Sequence, residues 1–200
     1  MSTPKRFFYV VYIPEGETRT CLDTIRLIAR PQTRFPAHIT VRGPYREVID
    51  GAAQLGDRIR GKLVRVGDVG VFEGKEKAVF LHCSCPDLVP IWHKPDFGGY
   101  TPHVTIYEGE KGFADALGEI LEANPPRFAF RASGLDLLVS EKGSAQNLVR
   151  DRYDGSTLAG VLGGNYSLDQ IDALGNAERL DLIGKILRHF ANVQRVAISA

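Results

Sequence analysis

Two short stretches carry residue types and spacing that could do chemistry: PAHITV at 36–41 and TPHVTI at 101–106. Each sets a histidine two residues before a threonine, with β-branched residues at the positions between and after. On a strand, side chains alternate faces with period two. His38 and Thr40 would then share one face while Ile39 and Val41 take the other, and the same holds for His103 and Thr105 against Val104 and Ile106. Paired imidazoles titrate near neutral pH and suit an acid and base pair. Threonine hydroxyls can donate to nonbridging phosphate oxygens and hold a phosphate between the rings. The set fits metal-free in-line attack on a phosphodiester, and a strained cyclic phosphate above all. It is a poor metal set, because zinc would want a third or fourth imidazole, thiolate or carboxylate. No metal and no cofactor are expected.

The elements that must position these triplets can be read from periodicity. Phe7–Ile13 is aromatic and β-branched, as a core strand is. Thr18–Arg30 reads as a helix ended by Pro31, and the first triplet strand runs to about Arg42 before Gly43-Pro44. Glu47–Arg60 reads as an amphipathic helix, and Leu63–Phe72 and Ala78–Ser84 as strands joined by a polar hairpin turn. Pro86–Gly99 is a proline-rich loop with room for one helical turn near Leu88–Trp92. The second triplet strand, Tyr100–Tyr107, leads to a helix at Gly112–Glu122. Strands are expected at Arg127–Ala132, Gly134–Ser140 and Gln146–Tyr153. The triplets lie 65 residues apart within an imperfect repeat of strand and helix. Such repeats commonly pack about a pseudo-twofold, which would set the motifs face to face. Residues 155–200 change character: Ser167 and Asn176 are placed to cap two helices, Leu168–Leu174 and Ala177–Phe190, and Val193–Ile198 reads as a short strand or loose end. The expected organisation is one domain over 1–154 and a helical extension over 155–200, whose apolar face would dock on the core, a second copy or another protein.

Composition sets bounds on partners. With 25 basic and 24 acidic residues, the net charge is +1, so no broad field draws long duplex nucleic acid. No apolar run reaches transmembrane length, and the N-terminal apolar run reads better as a strand than as a signal peptide. Three cysteines supply no disulfide framework and point to a reducing cytoplasm.

The quartets His38-Ile39-Thr40-Val41 and His103-Val104-Thr105-Ile106 resemble the signature of the 2H phosphoesterase superfamily, which includes RNA 2′,5′-ligase-like proteins and cyclic nucleotide phosphodiesterases. The resemblance covers roughly residues 5–153. It implies an α+β, bilobal fold of two pseudo-twofold-related antiparallel sheets, with outer helices and a central cleft lined by both histidines and both threonines. It also implies opening of 2′,3′-cyclic or related phosphates by water, with His103 activating water and His38 protonating the leaving ribose oxygen, or with these roles exchanged. Relatives that join or cleave 2′,5′ linkages in RNA, or that bind nucleotides without turnover, keep those activities open as alternatives. The substrate expected is a small nucleotide or an RNA end.

Further residues have both a site reading and a plainer one. Arg42 follows on the His38 face, as a phosphate or rim contact or as a solvated edge arginine. By the same alternation Tyr107 would follow Thr105 toward the cleft, to stack on a base, or would simply close a strand. Phe35 and Tyr100 precede the motifs as stacking candidates, and one of Phe8, Tyr9 and Tyr12 should border the cleft. Trp92-His93-Lys94 could form a lid or anchor its loop. His82, Cys83, Cys85 and His93 lack the usual zinc spacing and read as ordinary core and surface residues; Cys21 and His189 read as helix residues.

Overall fold

β-branched residues two apart, alternating with polar ones, need a sheet with one covered face, and the computed structural model has one. It describes residues 5–94, 96, 99–141, 147–164 and 166–198, without the side chains of residues 53 and 192–198. The strands are β1 (Lys5–Tyr12), β2 (His38–Tyr45), β3 (Leu63–Phe72), β4 (Lys77–Ser84), β5 (His103–Gly109), β6 (Phe128–Arg131) and β7 (Asp136–Glu141). They form a single seven-stranded sheet in the order β6-β3-β4-β5-β2-β1-β7, with antiparallel neighbours throughout. The helices are α1 (Glu17–Ala29), α2 (Ala52–Asp57), α3 (Lys111–Ala123), α4 (Leu148–Arg152), α5 (Ser156–Leu162), α6 (Leu168–Ala173) and α7 (Asn176–Ile198).

This architecture corrects the expected bilobal fold of two pseudo-twofold-related sheets, and with it the assignment to a 2H-type architecture. The two halves share one sheet because β2 and β5 are hydrogen-bonding neighbours. The triplets therefore lie side by side on adjacent strands and do not confront each other across two lobes.

One face of the sheet is covered. Ile39, Val41, Val104 and Ile106 point into a core with Leu22 and Ile25 of α1, Leu117 and Leu121 of α3, and Ile183 and Leu187 of α7. Each such side chain taken out of water contributes roughly 1.5–3 kcal/mol. The apolar stripe of α7 thus packs on the core, beside α1 and α3. Ser167 caps α6 in a capping box with Gln170, as its position suggested. No helix among the described residues is long and apolar enough to cross a membrane.

Three local expectations fail for identifiable reasons. The helix read over Glu47–Arg60 shrinks to Ala52–Asp57, because Ile49 is held by the Tyr9 hydroxyl, which donates to its carbonyl and accepts its N–H. The strand read over Gln146–Tyr153 is instead α4, capped by Asn147, whose side chain accepts the Arg150 N–H; Gln146 lies outside the described residues. Val193–Ile198 is neither strand nor loose end but continues α7. In the 86–99 loop the expected helical turn is a 3₁₀ turn at Pro86–Ile91, while residues 95, 97 and 98 lie outside the described set.

The β2–β5 seam is short. Its register pair is Ile39 with Val104. Toward the start of β2, a guanidinium stands where ladder bonds would continue: Arg26 donates to the Thr105 carbonyl through Nε (2.9 Å) and to the Phe35 carbonyl through Nη1 (2.8 Å). Past Val104 on the other side, residue 93 takes the place beside β2. Its N–H donates to the Val41 carbonyl (3.1 Å), and its carbonyl accepts the Gly43 N–H (3.0 Å). Arg26 is only 8% exposed, and its charge is balanced by the Asp23 carboxylate at 3.2 Å. The same Asp23 oxygen accepts the Ala37 N–H at 2.6 Å, one residue before the first triplet.

Removing one member of a buried pair leaves the other charge uncompensated and typically costs about 3–5 kcal/mol. We expect Asp23→Ala, which strands the Arg26 charge, to lower stability by roughly that amount in urea unfolding, and Arg26→Met to cost less, because Arg19 Nε remains 3.6 Å from the Asp23 carboxylate. The double variant should lose clearly less than the sum, because the second substitution removes the stranded charge.

Candidate active site

Counting outward from the Ile39–Val104 pair puts His38 opposite Thr105 and Thr40 opposite His103. All four side chains are half-buried on the face away from the helical core, while Ile39 and Val104 are fully buried beneath. The imidazoles are diagonal neighbours, a relation that in a regular ladder spans about 7–8 Å. No hydrogen bond to the Thr40 or Thr105 hydroxyl forms among the described residues.

The two rings are held alike. His38 Nδ1 lies 2.7 Å from the Pro36 carbonyl, and His103 Nδ1 lies 2.7 Å from the Thr101 carbonyl. A carbonyl oxygen can only accept, so each Nδ1 carries the proton and each Nε2 is left to exchange one. Burial is the main reason both imidazoles titrate low, at about 4. For His38, the buried Arg26 cation adds to the effect, with smaller contributions from His103 and Lys94, while the Pro36 bond opposes it. For His103, the Thr101 bond opposes burial, and Lys94 and His82 add to it.

An aromatic wall stands beside His103. The Phe72 and Phe80 rings stack at 4.1 Å and lie 5.0 and 4.9 Å from the imidazole. Phe80 spreads across β3 at Gly70, where a Cβ would meet its ring at 2.5 Å. Only glycine leaves room for that ring to lie flat. Phe72 remains 40% exposed. Tyr12, opposite His38 in register, meets that imidazole edge-on at 5.8 Å and is the first-strand aromatic that borders the site. A cleft of about 940 Å³ opens over the second triplet, lined among others by His103, Thr105, Phe72, Trp92 and Lys94.

The other sequence-derived candidates divide. Arg42 does not follow the expected alternation: a β-bulge makes Val10 pair with Thr40 and Tyr9 with Arg42, so Val41 is an extra residue, and the Arg42 Nη1 donates to the Ile91 carbonyl (2.8 Å) and supports the 3₁₀ turn. Tyr107 is turned to the opposite face. A β-bulge makes Val79 pair with Tyr107 and Phe80 with Thr105, so Ile106 is an extra residue and the alternation slips. Tyr107 packs on Phe113 at 4.8 Å, and its hydroxyl accepts the Glu110 N–H. Phe35 lies under the Arg34 guanidinium, and its carbonyl holds Arg26. The Tyr100 hydroxyl donates to the Cys85 carbonyl, and its ring meets Trp92 at 5.2 Å. Neither Phe35 nor Tyr100 lines the cleft. Cys83 and Cys85 are buried in the core, and no group of three His, Cys, Asp or Glu residues suited to a metal ion occurs among the described residues.

Sequence reasoning does not single out Arg26, Phe72 or Phe80, and it offers Lys94 only as part of a Trp92-His93-Lys94 lid or loop anchor. Arg26 left one trace: it follows Leu22 by four positions, a charge on the apolar stripe of α1. The phenylalanines depend on the β3–β4 register, and Lys94 follows a loop without periodicity.

Comparison with family models, with curated proteins and with solved structures returned no match to this chain. The resemblance noted above rests on the two quartets and their order.

A histidine held low in the folded state binds fewer protons than its unfolded counterpart between about pH 4 and the ordinary value of 6.5. Folding stability attributable to these two groups is therefore complete above about pH 6.5 and declines as pH falls toward 4. We expect the His38→Gln/His103→Gln double variant to lose much of the parent's decline in melting temperature over that window, and two imidazole NMR midpoints near 4 to disappear with it.

Proposed function

We propose that this protein hydrolyses a 2′,3′-cyclic phosphate, or a related small cyclic nucleotide phosphodiester, by paired-histidine acid and base catalysis. One observation carries the reading: two imidazoles and two hydroxyls share one face of adjacent strands, with each Nδ1 tied to a carbonyl and each Nε2 left to exchange a proton. In the reaction, the oxygen of water attacks phosphorus in line with a ring ester oxygen. One Nε2 accepts the water proton, the P–O bond to the ribose breaks, and the other imidazolium gives its Nε2 proton to the leaving oxygen. The threonine hydroxyls donate to the nonbridging oxygens and tighten as charge builds on them.

The low titration of both rings has a consequence for this step. Without ligand, both are neutral at pH 7, which suits a base but not an acid. A phosphodiester anion lying against the rings favours their charged forms and raises both, bringing one within range of the proton it must carry. Substrate charge thus arms the acid.

The cleft favours a small substrate over long RNA. Glu73, Glu76, Asp96 and Glu108 line it against Lys75 and Lys94, so flanking phosphates would meet carboxylates. The exposed face of Phe72 offers a surface on which a base can stack.

The test is turnover of a panel of 2′,3′- and 3′,5′-cyclic nucleotides and 2′,5′-linked oligonucleotides with chelator present. His38→Ala and His103→Ala should each lower kcat by roughly 10²–10⁴-fold. Thr40→Val and Thr105→Val should lower it by at least about tenfold. A folded His38→Ala or His103→Ala variant that turns over substrate as fast as the parent would sink the reading, as would activity that appears only on adding metal.

A further inference from the structure

We propose that Lys94 is the cation that fixes the substrate phosphate against the two triplets. The inference rests on the phosphodiester reading above and assigns to that site its charged anchor.

The backbone argument comes first. Residue 93 is bonded to β2 at Val41 and Gly43, in the place β5 leaves beside that strand. Its ring stacks on Tyr45 at 5.7 Å, and the two side chains share a hydrogen bond. On the other side of that residue, Trp92 donates through Nε1 to the Gly99 carbonyl (3.0 Å) and packs on Tyr100. Anchored neighbours hold the Lys94 backbone at the seam between the strands that carry the triplets. Its side chain lines the cleft with His103 and Thr105, and its Nζ lies 5.6 Å from the centre of the Trp92 ring.

The electrostatics agree with that placement. The charge of Lys94 disfavours protonation of His38 and of His103, so it acts on both rings at once. Arg26 bears on His38 alone and His82 on His103 alone. Burial also pushes the Lys94 ammonium below its ordinary range. A bound phosphate would offset that loss of hydration. The cleft's remaining lysine, Lys75, sits exposed on the β3–β4 turn among Glu73 and Glu76. Lys94 is therefore the cleft lysine set beside the imidazoles.

The experiment titrates the full chain with inorganic phosphate while following the imidazole NMR signals of His38 and His103, in the parent, Lys94→Met and Lys94→Arg. In the parent, phosphate should move both signals and raise both midpoints. Lys94→Met should bind phosphate at least tenfold more weakly and, without phosphate, should show both midpoints raised, since a repelling charge is gone. Lys94→Arg should bind within a few-fold of the parent, which a change confined to packing of the lysine stem would not explain. Undiminished phosphate binding by Lys94→Met, or unmoved midpoints in that variant, would overturn the role of Lys94 and leave the phosphodiester reading standing. A parent whose two imidazoles ignore phosphate would overturn both.

Discussion

The buried guanidinium of Arg26 is the contact on which the site depends. It reaches from α1 to a carbonyl on β5 and a carbonyl just before β2, and Asp23 ties the same cluster to the Ala37 N–H. A charge so buried persists only where its donors are matched by acceptors. Here the matching acceptors are the Asp23 carboxylate, a carbonyl on β5 and a carbonyl just before β2. Orientation of the face that carries the triplets and neutralisation of the buried pair are thus one requirement. The guanidinium also stands where ladder bonds between β2 and β5 would otherwise form. It couples the strands while interrupting their pairing.

That interruption shapes the chemistry. With Arg26 on one side of Ile39–Val104 and residue 93 on the other, the seam is held by side-chain and loop groups instead of an unbroken ladder. The inserted loop brings Lys94 to the cleft, and the inserted arginine brings positive charge near His38. Burial holds both imidazoles neutral and low in titration, and these cations add to it. Such a site is poorly suited to holding a proton when empty and well suited to gaining one beside an anion.

Much of the secondary structure was legible in the sequence where periodicity was strong. β3, β4, α1 and α3 fall within a residue or so of their expected limits, because each has an apolar stripe ended by glycine, proline or a polar turn. Failures came where a distant group intervened. The Tyr9 hydroxyl holds Ile49 out of a helix that local pattern favoured. A one-residue bulge turned Tyr107 from the cleft to the helices, because period-two counting holds only while the ladder is regular. The strand neighbours themselves were misjudged: repeated motifs suggested opposed lobes, whereas antiparallel pairing placed them in one sheet.

The sequence by itself indicated which side chains of each triplet share a face, since period-two alternation follows wherever the segment is a regular extended strand. It also determined that two copies of one histidine and threonine pattern exist, and that their type suits proton transfer around phosphate. Only the tertiary structure decided that the copies are neighbours, that His38 faces Thr105 and His103 faces Thr40, and that Arg26, Phe72, Phe80 and Lys94 surround them. Those placements depend on contacts between residues far apart along the chain, such as Arg26 with Thr105 across 79 positions. No local pattern encodes such a contact, because its free energy comes from the group it meets and not from the residues beside it.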